Sequence, residues 1–189
     1  MKIINLSKCY EEHIVLRKLN LFLEEGNVYA LMGPSGCGKT TLLHILLGIV
    51  KADSGTVEGF SGKRFSAVFQ ENRLFEFLTA AENVEVVQRK PQNPEKIREI
   101  LKEILPEASL DQKTGEFSGG MKRRAAIARA MLADSDVIVM DEPLTGLDET
   151  TRNQVISFIL KYRRDRTLLF STHQEKEVEL FHAEKILLV

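Results

Sequence analysis

Apolar residues along this chain follow two different periods. Short runs of strand length recur at residues 2–6, 16–23, 28–32, 136–140, 167–171 and 186–189, with weaker strand signals at 55–57 and 67–69. Leu19, Leu21 and Leu23 alternate with polar neighbours, the pattern of a half-buried strand, whereas 28–32 and 136–140 are almost wholly apolar and suit a sheet covered on both faces. Between these runs the period becomes helical. Residues 41–48 form a segment closed by Gly48, and Thr79 with Glu82 forms a capping box opening a helix to about 87. The stretch from Pro91 to Pro94 breaks that pattern, and Pro94 suits the first position of the next helix. Ile97, Ile100, Leu101, Ile104 and Leu105 make its one-sided apolar stripe. Ser118 caps a further helix to about 133, and helical patterns return at 153–162 and 175–181. Glu24-Glu25-Gly26-Asn27 and Asp53-Ser54-Gly55 read as turns. Strands alternating with helices at both ends predict an α/β fold with a mainly parallel sheet, a small antiparallel β edge and an inserted helical subdomain. The expected division is a core at about 1–70 and 135–189 and a helical part at about 71–134.

Composition narrows the function more than the fold. The 189 residues suit a single domain, and 26 Lys and Arg nearly balance 27 Asp and Glu. That balance gives no electrostatic reason to expect nucleic acid as the main partner. Cys9 and Cys37 lack metal-ligand spacing and are too few for a disulfide framework, so a reducing, cytoplasmic compartment is expected. The amino terminus lacks a signal-peptide pattern, and no apolar run approaches the length of a membrane span. A role at a membrane therefore requires a partner.

Two motifs carry chemistry. Gly33-Pro34-Ser35-Gly36-Cys37-Gly38-Lys39-Thr40, followed by Thr41, lies between an expected strand and an expected helix. Glycines let such a loop turn its N–H groups toward phosphate oxygens, and the helix presents its positive end to the same anion. Lys39 supplies a full charge for the β- and γ-phosphates, and Thr40 a hydroxyl for Mg²⁺. Downstream, Val137-Ile138-Val139-Met140 ends in Asp141 and Glu142. Asp141 is placed to hold Mg²⁺, and Glu142 to polarise a water beside the γ-phosphate.

A third motif selects among phosphate-loop families. Phe117-Ser118-Gly119-Gly120-Met121 resembles the signature of ATP-binding-cassette (ABC) ATPases, usually written LSGGQ, with Phe and Met as departures. The resemblance spans nearly the whole chain in the family's order. It implies a P-loop NTPase core that binds ATP and Mg²⁺ and hydrolyses ATP, with Glu142, His173 and Lys39 catalytic. It also implies that Tyr10 stacks on adenine, unless it is simply a core tyrosine. Gln70 matches the glutamine that senses Mg²⁺ and water; Ser118, Gly119 and Gly120 would meet nucleotide on a second subunit, and Asp148 lies at the dimer seam. The implied partners are a second ATP-binding subunit, identical or different, transmembrane permease subunits and an extracellular substrate-binding protein. The chain would then sit peripherally on the cytoplasmic face of the cell membrane. The wording around residues 69–84 and 118–132 looks like importers of nitrate, sulfonate or taurine type. Phe75, Phe77 and Leu78 fit either permease docking or core packing. Lys122, Arg123 and Arg124 read as a solvated helix face and part of the dimer surface. Two departures concern the edges: 30 residues separate Lys39 from Gln70, fewer than is usual in the family, and one apolar run follows His173.

Overall fold

The computed structural model describes residues 1–90 and 92–188. The expected break at Pro91 and the final residue of the expected last strand, Val189, lie outside the described residues. Within them the strands are β1 (Lys2–Tyr10), β2 (His13–Phe22), β3 (Val28–Met32), β4 (Ser54–Glu58), β5 (Phe65–Val68), β6 (Val137–Met140), β7 (Thr167–Ser171) and β8 (Glu184–Leu187). The helices are α1 (Lys39–Leu46), α2 (Ala80–Glu85), α3 (Pro94–Lys102), α4 (Gly119–Leu132), α5 (Glu149–Arg163) and α6 (Glu175–Leu180).

Five strands form a parallel sheet in the order β5-β6-β7-β3-β8, and three form an antiparallel sheet in the order β2-β1-β4. Strand alternation explains why the inner strands β3 and β6 are apolar throughout. Val28, Ala30 and Met32 join one core with Ile138, Met140, Leu168 and Phe170, and that core is completed by α2, α3, α4, α5 and α6. The intervening Tyr29, Leu31, Val137, Val139 and Leu169 point the other way, against α1 and the antiparallel sheet. Each large side chain so buried is worth roughly 1.5–3 kcal/mol. All five parallel strands deliver their carboxyl ends to one edge, where α/β sheets place their ligand chemistry.

Element edges differ from the sequence expectation where capping outweighs periodicity. Helix α1 begins at Lys39, ahead of the apolar residues, because Gly38 takes a left-handed φ of 96° as its N-cap. Helix α5 begins at Glu149, because the Asp148 side chain accepts from Thr151 N–H. Its first turn is polar and periodicity does not register it. Strand β1 runs on past Leu6 to Tyr10, with Asn5 at φ 50° and a shifted register between Ile3 and Leu6. A bulge of this kind interrupts the alternation a reader would look for.

Candidate functional site at the carboxyl edge of the parallel sheet

The loop after β3 is built around glycines that the surrounding chain crowds. A Cβ on Gly33 would lie 2.3 Å from the Leu188 carbonyl oxygen and 2.7 Å from Cys37 Sγ. One on Gly38 would lie 2.7 Å from Leu16 Cδ2 and 2.8 Å from the Val15 carbonyl oxygen. The β1–β2 hairpin is thereby pressed onto the loop. Lys39 is buried, and its Nζ donates to the carbonyls of Gly33 and Pro34, each at 2.9 Å. Pro34, Ser35 and Gly36 stay exposed, with Cys37 and Thr41 partly buried. The loop thus presents a cation against its own backbone and an open outer surface, the arrangement that receives a polyanion.

Strands β6 and β7 bring the acidic and imidazole groups to the same place. Asp141, 4% exposed, accepts from Thr40 Oγ1 at 2.7 Å and from Ser171 Oγ at 2.5 Å. Ser171 also accepts from the Glu142 N–H at 2.8 Å. Glu142 itself stands at φ 46°, a left-handed conformation that non-glycine residues adopt rarely. That turn directs its carboxylate outward, with Oε1 2.7 Å from His173 Nε2. Thr145 Oγ1 lies 3.4 Å from Oε2. Lys39, Thr40, Asp141, Glu142 and His173 therefore meet on the ends of three adjacent strands. The hard oxygens of Thr40 and Asp141 fit Mg²⁺, which binds few protein groups and takes its remaining ligands from phosphate and water. No group of three or more His, Cys, Asp or Glu that could hold a metal ion is found among the described residues.

Other candidates are positioned differently. Gln70 stands exposed two residues past β5, beside this edge. Tyr10 is 46% exposed at the hairpin tip, with Lys8 Nζ 5.2 Å above its ring, so it is not a core tyrosine. Asp148 is exposed and caps α5; the Thr151 hydroxyl holds its carboxyl below the ordinary value. Ser118 caps α4, accepting from Met121 N–H at 3.3 Å, and Gly119 and Gly120 open that helix at the surface. Phe75 and Phe77 are 44% and 68% exposed and meet edge to face, so they lie on the surface and not in the core; Leu78 is half-buried.

The three cations after the signature do not share one solvated face. Lys122 pairs with Glu76, and Arg124 is partly buried on the carbonyls of Gly120 and Ile104. Arg123 is 5% exposed and turned into the protein, because α4 packs flat on the sheet. Sequence reading missed it, and missed Ser171. The signals for both lie in positions brought together only by folding.

A parallel sheet delivering a lysine-bearing phosphate loop, paired carboxylates and a histidine to one edge, with a Ser-Gly-Gly helix start elsewhere on its surface, defines an ATP-binding cassette. The sequence model described as ABC transporter matches residues 16–145. The chain belongs to the ABC transporter family, in which ATP-binding subunits are ATPases. It is 37% identical to the taurine import ATP-binding protein of Pelagibacter ubique over 179 residues, 87% of this chain and 67% of that protein. It is 33% identical to an aliphatic sulfonates import ATP-binding protein of Pseudomonas syringae pv. tomato, covering 96% of this chain and 78% of that one. Across six curated relatives the chain spans between 55% and 78% of their lengths. A dimeric ATP-binding cassette solved in a post-hydrolysis state with ADP and phosphate superposes with a TM-score of 0.84 at 29% identity, covering 99% of this chain and 93% of that one. No helix among the described residues is long and apolar enough to cross a membrane.

Proposed function

We propose that the chain hydrolyses ATP to ADP and phosphate in a head-to-tail pair with a second ATP-binding subunit, and that pair closure and reopening drive a membrane transporter. The observation that carries this reading is the open start of α4. A Cβ on Gly119 would meet no atom within 4 Å, and one on Gly120 only Leu147 Cδ2 at 3.7 Å. The fold of one chain does not require these glycines, so close approach by something outside it does. A triphosphate held on a partner's phosphate loop fits, because α4 begins with free N–H groups and the positive end of its dipole.

In this mechanism Lys39 leaves the Gly33 and Pro34 carbonyls for the β- and γ-phosphates, and Tyr10 stacks on adenine. Glu142 accepts a hydrogen bond from the attacking water and aligns it with the γ-phosphorus, while His173 steadies that carboxylate and faces the γ-phosphate. Thr40 and Asp141, with Gln70 nearby, hold Mg²⁺, which when bound offsets charge on the phosphate oxygens. Preorganised charge at these points supplies most of the rate. Asp148 lies at the seam between subunits.

We divide the chain functionally into a nucleotide-binding core, about 1–70 and 135–189, and a helical part, about 71–134. Exposed Phe75 and Phe77 dock a multi-spanning permease, so the chain works at the cytoplasmic face of the membrane. The names of the taurine and sulfonate relatives support an importer served by an extracellular substrate-binding protein. Substrate choice belongs to those other subunits.

The Glu142→Gln variant tests the reading in sedimentation velocity with ATP and Mg²⁺. It is expected to bind ATP, form a stable dimer and lose about a thousandfold in turnover. A nucleotide-loaded variant that remains monomeric overturns the paired mechanism, and wild-type turnover removes Glu142 from its role.

A further inference from the structure

Arg123 is a buried cation to which no carboxylate among the described residues is bonded. Burial lowers its guanidinium pKa, with the charges of Asp141 and Glu142 opposing that shift at longer range. Its hydrogen bonds run to two separate segments. Nε donates to the Pro143 carbonyl at 2.9 Å, and Nη2 to those of Asp141 at 2.8 Å and Glu142 at 2.5 Å. On the other side Nη1 donates to the Phe69 carbonyl at 2.5 Å, with the Gln70 carbonyl at 3.4 Å and Asn72 Oδ1 at 3.5 Å. Three consecutive carbonyls after β6 and two after β5 thus converge on one planar fork. Desolvating a guanidinium is costly, and it is retained only where aligned dipoles replace its water.

Within the ATPase reading proposed above, we infer that Arg123 is a positioning residue. It ties the backbone beside Gln70 and the backbone that aims Glu142 to the helix that starts at Ser118. Two consequences follow from its place. The clamp holds the carbonyls on either side of the Glu142 Cα, the residue at φ 46°, where a relaxed chain would leave the left-handed region. It also sits on α4, in the second turn after the Ser118 cap, so a displacement of that cap by a partner reaches both segments through one rigid helix. A lysine replaces it only in part, since a single ammonium does not span two segments that a fork reaches together.

The test compares full-length wild type with Arg123→Lys and Arg123→Gln by hydrogen exchange without nucleotide, and by ATP turnover and ATP affinity. In Arg123→Gln, amides in 65–76 and 137–147 are expected to exchange about tenfold faster, while 28–46 is unchanged, because a lost charged bond loosens its own segments first. Turnover should fall at least about tenfold with ATP affinity within about threefold, the split of a group acting on the reacting geometry. Arg123→Lys should lie between. Exchange in 65–76 and 137–147 at the wild-type rate, or unchanged turnover, overturns the inference. So does acceleration spread evenly over the chain in both variants, which marks a merely structural residue. If wild type binds ATP without turning it over, the ATPase reading fails, and the exchange pattern still decides whether Arg123 couples the two segments.

Discussion

Two helices in this chain begin with glycine and free backbone N–H groups, yet the fold treats them oppositely. At α1 the glycines are structural necessities: a Cβ on Gly33 would run into Leu188 and Cys37 and one on Gly38 into Val15 and Leu16, and Gly38 holds a left-handed φ at the start of the helix. At α4 a Cβ on either glycine would crowd nothing, and the N-cap bond of Ser118 is satisfied locally. Both ends offer the same anion chemistry. Only the first is braced from within. A residue type that the fold does not demand is accounted for by what lies outside the chain. On the paired mechanism proposed above, the comparison separates a site that one subunit completes from one that a second subunit completes.

Removing the charge at the braced end should give the larger effect. Lys39→Ala is expected to weaken ATP binding by about 10- to 100-fold, as loss of a charged hydrogen bond to phosphate does. Since among the described residues that ammonium bonds only within its own loop, to the Gly33 and Pro34 carbonyls and to Cys37 Sγ, melting should hardly change. A titration giving wild-type affinity would separate the loop from nucleotide binding. At the open end, Gly119→Asp should leave ATP affinity of the single chain intact and cut turnover at saturating ATP by about tenfold or more, because a carboxylate then faces the triphosphate in the pair. The same carboxylate in the first turn of α4 favours the helix by about 0.3–1 kcal/mol, so the melting temperature should not fall. A melting temperature well below wild type would show that α4 is braced after all, and the contrast would collapse. Gly38→Ala should show the reverse ranking. Strain at φ 96° and contact with the Val15 carbonyl should cost about 1–3 kcal/mol, seen as a lowered denaturation midpoint.

The braced end was the more legible of the two regions. A phosphate loop is contiguous in sequence, so Gly33 to Thr40 declared itself with its strand and its helix. Asp141 and Glu142 were legible for the same reason, since a continuous apolar strand leads directly into them. Periodicity also placed most elements, because residues that alternate between two cores must be apolar on both faces, as in β3 and β6. What it could not show is convergence. Arg123 lies in a run of three cations whose local pattern suggests a wet surface, and its acceptors come from 69–72 and 141–143. Ser171 looks like the last residue of a strand until folding sets it between Asp141 and Glu142. Polar beginnings, such as the first turn of α5, are hidden because capping carries no hydrophobic period.

The smallest predicted effect lies at the far end of β6 and shows how local the difference between the two helix starts is. Asp136 precedes the strand that leads into Asp141, and it accepts from the Arg64 side chain at 3.0 and 3.1 Å and from the Arg64 N–H at 2.8 Å. These bonds, that to the Arg64 side chain foremost, lower its carboxyl from the ordinary 3.8 to about 2. A depressed carboxylate contributes stability above its unfolded pKa and loses it as pH falls through the folded value. The contribution of Asp136 is therefore complete at neutral pH and disappears between 3.8 and about 2. Solvent screens the pair, whose side chains are 35% and 37% exposed, so Asp136→Asn should cost only about 0.5–1 kcal/mol at pH 7. For a chain of this size that is a fall of about 1–4 °C in melting temperature, with turnover unchanged. Denaturant midpoints taken as the pH is lowered from 7 toward 2 should show the variant converging on wild type. A gap that persists undiminished at acid pH would mean the loss is one of packing and not of charge. A fall in turnover at pH 7 would mean that strain at the amino end of β6 reaches Asp141, and that the nucleotide edge depends on the whole length of its strand.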